Sequence, residues 1–136
     1  MERRFRRTVD ALEEVFVFVS EFAARHRLGE DTVFRFKIAI EEVFVNMVRH
    51  NMGTNDILVN LAREGDRLIV SLTDFDVEAF DITKADEYDT RQPLGKRPVG
   101  HLGIHLVRNM VDEISYRYEN KQSRITLIKD LGKTDV

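Results

Sequence analysis

The hydrophobic periodicity changes once along this chain, and the change limits the folds open to it. Up to about residue 50, apolar side chains recur at steps of three and four. Val9, Leu12, Phe16, Val19 and Ala23 form one stripe, and Phe36, Ile40, Val43, Phe44 and Met47 form a second. Such spacing gives amphipathic helices, each buried along one side. From Ile57 onward the period is two. Ile57, Val59 and Leu61 alternate with polar neighbours, Gly65-Asp66 offers a turn, and Leu68, Val70 and Leu72 alternate again. This is the pattern of half-buried antiparallel strands. Helices followed by such strands predict an α+β chain, a two-layer α/β sandwich with helices on one face of a mostly antiparallel sheet.

Thr8 is placed to cap the first helix and Gly29 to close it, while Asp31 is placed to cap the second, which ends near Asn51-Met52-Gly53. A third helix is expected over about Gly103 to Glu113. Two further strands follow, Ile114–Glu119 and Ser123–Lys129, joined across Asn120-Lys121-Gln122. Between Asp74 and Pro98 periodicity is lost, and this stretch holds seven acidic residues and both prolines. A segment of that length inside a compact domain is more often a functional lid than filler. No repeat, low-complexity tract or linker divides residues 1–136, which read as one domain.

The chain has no cysteine, which excludes disulfides, thiolate zinc sites and a cysteine nucleophile. No apolar run approaches the ~20 residues of a membrane helix, and the start MERRFRRT lacks a signal-like apolar segment. The expectation is a cytoplasmic protein without membrane contact. A net charge of −3 argues against direct nucleic-acid binding. Arg3, Arg4, Arg6 and Arg7 form a local basic cluster, read here as a solvated amino-terminal segment.

Three constellations carry possible chemistry. Glu42, Asn46 and His50 stand four residues apart, so they project from one side of the second helix, beside its apolar stripe. An Asn within Val-Phe-Val-Asn-Met-Val costs desolvation unless its amide is satisfied, and a magnesium ion is one way to satisfy the oxygen. Spacing alone equally allows an ordinary solvated helix face. Asp74 closes an alternating strand; its carboxylate can accept from an exocyclic amine or can simply form a turn. Gly100 and Gly103 lead into the third helix, where free N–H groups favour a phosphate, although a flexible helix entry needs the same residues. His101 and His105 stand four apart without a third ligand at a recognised spacing, and neither a P-loop nor G-x-G-x-x-G occurs.

Taken in order, AIEEVFVNMVRHN, LTDFDVEAFD and RPVGHLGIHLVRNMVDEISY resemble the nucleotide-binding fold of the GHKL superfamily. Within it the sequence is most similar to the anti-sigma serine/threonine kinases, over nearly the whole chain. The resemblance implies a Bergerat-type ATP-binding domain with an ATP lid at about 74–103. It implies that Asn46 binds the magnesium bridging the phosphates and that Asp74 holds the adenine amino group. It further implies that Glu42 is the general base and that Gly100 and Gly103 flank the phosphates. The cofactors implied are ATP and Mg2+. The partners implied are a STAS-domain anti-anti-sigma protein, a sigma factor or analogous regulator, and a second copy in a homodimer. Two positions depart from the family pattern. Asp76 stands where glycine is common, two residues after Asp74, and His101 replaces a second lid glycine. These departures leave open a module of the same fold that regulates its partner by binding alone.

Overall fold

The computed structural model describes residues 1–50, 55–79 and 103–131. Strand β1 (Glu2–Phe5) passes through a 3-10 turn (Val9–Ala11) into helices α1 (Leu12–Arg25) and α2 (Glu30–His50). Strands β2 (Ile57–Glu64) and β3 (Arg67–Phe75) come next, then helix α3 (Gly103–Met110) and strands β4 (Glu113–Glu119) and β5 (Gln122–Asp130). The strands form one sheet in the order β1-β2-β3-β5-β4, antiparallel at every pairing. This is the expected α+β architecture.

Period-two alternation turns Val59, Leu72 and Ile125 to one face, and the register sets Val59 opposite Leu72 and Leu72 opposite Ile125. All three are buried under the helices, in the same core as Phe18 of α1, Phe44 of α2 and Ile104 of α3. In α2 the expected stripe of Phe36, Ile40, Val43, Phe44 and Met47 is buried throughout. In α1 the expected Leu12, Val19 and Ala23 are buried, and Val15, Phe18 and Phe22 widen the buried face. Of the expected stripe only Val9, which is 44% exposed, and the half-buried Phe16 depart. Val9 lies in the 3-10 turn, ahead of the helix proper.

The helix ends also differ from expectation, each for a local reason. Thr8 has an extended φ of −142° but its side chain makes no capping bond. Asp31 pairs with Arg35 at 3.0 Å instead of capping, and α2 already begins at Glu30, with the Gly29 carbonyl accepting from the Val33 N–H at 3.1 Å. Helix α1 is closed by Arg27 and not by Gly29. Arg27 takes a φ of 54°, its N–H bonds the Ala24 carbonyl at 3.4 Å, and the Leu28 N–H bonds that of Ala23 at 3.0 Å. This is a Schellman ending, with Leu28 packed against the core. Helix α3 stops at Met110 because the Asp112 N–H turns to the Ile128 carbonyl at 2.8 Å and Glu113 already pairs with β5. The β4–β5 turn uses Asn120 and Lys121, both at positive φ, which matches the right-handed twist of a two-residue hairpin.

Candidate functional site

Helix α2 supplies the first half of the site. Acidic Glu30 and Asp31 in its first turn and basic Arg49 and His50 in its last suit the helix dipole. Val43, Phe44 and Met47 clamp it to the core, and Asn46, at 4% exposure, lies within that buried side and not beside it. The Asn46 Nδ2 donates to the backbone carbonyl of Glu42 at 2.7 Å. That bond commits the NH2 end of the amide to the helix, so Oδ1 is the end that can ligate a cation. Glu42 itself is half-buried, and this burial pushes its carboxyl above the ordinary range. The neighbouring Glu41 adds to the rise and Arg49 opposes it. A carboxylate raised in this way is a better proton acceptor near neutral pH. His50, the third member of the row, is half-buried at the end of α2.

Strand β3 supplies the second half. Asp74 pairs in register with Ser123 on the helix-facing side of the sheet and is fully buried, so it is a strand residue and not a turn former. The Arg7 guanidinium forms an ion pair with its Oδ1. Arg7 also donates from Nη1 to the Met47 carbonyl at 2.9 Å and from Nε to the Asn55 carbonyl at 3.1 Å. Burial pulls the Arg7 pKa down while the charge of Asp56 lifts it. The reading of all four amino-terminal arginines as solvated therefore fails at Arg7, whose side chain is 10% exposed. No strand period announces this, because β1 ends at Phe5 and Arg7 lies in the bend that follows. Phe5 is buried, while Arg3 stays exposed with its guanidinium 4.9 Å from the centre of the Phe18 ring.

Beyond β3, Asp76 has a φ of 57°, the left-handed conformation that glycine adopts without cost and that Asp tolerates better than most residues. Its side chain is exposed. The next residue is fixed from both sides: the Val77 N–H donates to the Lys121 carbonyl at 3.1 Å, and the Tyr118 hydroxyl donates to the Val77 carbonyl at 2.8 Å. Asp76 thus keeps the backbone shape a glycine would give. Gly103 opens α3, as expected for a helix entry. Gly100, His101 and the rest of the expected lid from residue 80 to 102 lie outside the described residues.

Among the described residues, no group of three or more His, Asp or Glu side chains gathers to hold a metal. The donor set fits magnesium only in the mode where one protein oxygen, that of Asn46, is joined by phosphates and waters. No helix among the described residues is long and apolar enough to cross a membrane.

Residues 5–129 match the histidine kinase-like ATPase domain family. The chain belongs to that family. It is therefore an ATP-binding domain of kinase-like type, and Glu42, Asn46, Asp74 and Gly103 all fall within the matched span. No curated protein matches the sequence. Among solved structures, the RsbU and RsbW domains of Rv1364c from Mycobacterium tuberculosis are similar at 18% identity and a TM-score of 0.70. That match covers 96% of this chain and 32% of the other. The blue-light activated histidine kinase of Erythrobacter litoralis EL346 is similar at 13% identity and a TM-score of 0.56, over 90% of this chain and 60% of that one. Histidine kinase AdeS of Acinetobacter baumannii gives 13% and 0.55, over 98% and 68%. At these identities the likeness is one of fold. The chain spans less than two thirds of the first two of these structures.

Proposed function

We propose that this histidine kinase-like ATPase domain is an ATP-dependent serine/threonine-protein kinase and anti-sigma factor in a bacterial partner-switching system, acting on a STAS-domain anti-anti-sigma protein. The observation that carries the reading is the pairing of Glu42 and Asn46 on α2, where the Asn46 amide is anchored to the Glu42 carbonyl at 2.7 Å. One residue offers a ligating oxygen, and one turn away a half-buried carboxylate has raised basicity. In the proposed reaction Glu42 accepts the proton of a serine or threonine hydroxyl. The hydroxyl oxygen bonds to the γ-phosphorus, the bond from that phosphorus to the bridging oxygen breaks, and ADP leaves. Magnesium, when bound, neutralises phosphate charge. Asn46 would hold it, Asp74 would receive the adenine amine, and Gly100 and Gly103 would flank the phosphates at the lid's end. Fold similarity to a chain that includes an RsbW domain supports this choice over a histidine-kinase role, as does the sequence resemblance. A homodimer and a sigma factor or analogous regulator complete the proposed switch, located in the cytoplasm.

A second reading has a specific observation in its favour. Asp74 already carries an ion pair with Arg7. A domain that has turned its base-recognising carboxylate to a structural use would regulate its partner by binding alone. Incubation with labelled ATP, magnesium and a STAS-domain substrate separates the two. Label on a serine or threonine supports the kinase, while a stable complex without label supports the binding module.

A further inference from the structure

The ion pair between Arg7 and Asp74 does more than neutralise a buried charge. The Arg7 side chain is 10% exposed and the Asp74 side chain 0%, so the pair is largely withdrawn from water. The guanidinium is also pinned by two backbone carbonyls, Met47 on α2 at 2.9 Å and Asn55 ahead of β2 at 3.1 Å. A group held on three sides by separate elements is a fixed part of the wall and not a plug free to swing out. Its chemical effect falls on Asp74. An ionised carboxylate only accepts hydrogen bonds, whereas a protonated one also donates. The guanidinium held against the Asp74 carboxylate favours that ionised, acceptor-only form.

We infer that Arg7 is a specificity-determining residue for the purine base, holding Asp74 as an acceptor so that the site takes a 6-amino purine and rejects a 6-oxo purine. The inference rests on the ATP reading proposed above. An amine at position 6 offers an N–H to the carboxylate, and a carbonyl there presents lone pairs that the carboxylate repels. Arg7 acts through Asp74 and is a positioning residue.

The test compares binding of ATP and inosine triphosphate, with magnesium, to the full chain. The unmodified protein is expected to prefer ATP by about tenfold or more, as for a hydrogen bond to a charged group. Arg7→Met is expected to bring the two affinities within about threefold of each other. Arg7→Lys, which retains the charge, is expected to keep the preference for ATP. A parallel loss for both nucleotides in Arg7→Met, with the ratio unchanged, would mean a purely structural Arg7 and overturn the inference. So would tighter ATP binding, which would mean that the guanidinium obstructs the base. If circular dichroism shows Arg7→Met to be unfolded, the double variant Arg7→Met/Asp74→Asn, with no buried charge, replaces it. Its amide can turn either end to the base, so near-equal affinities are expected, and a retained ATP preference overturns the inference. An unmodified protein that binds neither nucleotide refutes the ATP reading and this inference with it. An unmodified protein that prefers ATP, with a ratio indifferent to Arg7, refutes this inference alone.

Discussion

The side-chain amide of Asn46 donates to the main-chain carbonyl of Glu42, four residues earlier on α2, at 2.7 Å. In an α-helix that carbonyl normally receives only the N–H of residue 46, so the amide takes the carbonyl's second lone pair. The bond holds a polar group at a position 4% exposed and sets its oxygen and the Glu42 carboxylate on one side of the same helix.

Asn46→Ala removes the ligating oxygen and one neutral hydrogen bond. Stability is expected to fall by about 1 kcal/mol, a loss the fold can carry. ATP affinity in magnesium is expected to drop about tenfold or more while affinity in chelator barely changes. Calorimetric titration under both conditions checks this, and an unchanged dependence on magnesium removes Asn46 from the metal.

Glu42→Gln keeps the shape and removes the base. Nucleotide affinity is expected to hold while phosphate transfer falls about a hundredfold or more. Transfer by the unmodified protein should rise with pH through the elevated pKa of Glu42, because only the ionised form accepts a proton. The stability effect has the opposite sense. A carboxyl raised by burial binds protons more tightly folded than unfolded, so folding loses stability as pH climbs from the ordinary carboxylate range through the raised value. Glu42→Gln should therefore melt higher than the unmodified protein at neutral pH, with that gain vanishing in acid.

Asp76 sits at a φ of 57° with its side chain exposed. Asp76→Gly is expected to be neutral or to stabilise by up to about 1 kcal/mol, because relief of the left-handed cost is partly offset by a more flexible unfolded chain. Asp76→Val is expected to cost about 1–2 kcal/mol. Urea denaturation of the two variants checks the pair. A valine tolerated as well as glycine would contradict the assigned backbone conformation.

Arg27 closes α1 at a φ of 54°. Arg27→Gly is expected to stabilise by roughly 1 kcal/mol through the same conformational preference. Leu28→Ala is expected to destabilise by about 2 kcal/mol or more, since Leu28 is the apolar anchor of that ending. Thermal denaturation distinguishes these opposite signs.

The layers were legible because both periods are strong. Phe36 to Met47 can bury one stripe only as a helix, and Ile57 to Leu72 can bury one face only as strands. The helix ends were less legible, because a Schellman ending at Arg27 depends on backbone bonds that no residue type announces. Within the candidate site, Glu42 and Asn46 were readable from spacing, for one helix carries both. Arg7 was not, since its partner Asp74 lies 67 residues away in sequence. The cluster around Arg7 looks uniformly basic, and Arg3, Arg4 and Arg6 are exposed, so nothing in the residue pattern sets Arg7 apart.

In the proposed reaction α2 and β3 together bind magnesium-ATP for phosphate transfer. Isothermal titration of the full chain with ATP, with magnesium and then with chelator, is the decisive measurement. Saturable binding below about 1 mM that weakens tenfold or more without magnesium is expected. No binding of ATP at millimolar concentration in the presence of magnesium would contradict it.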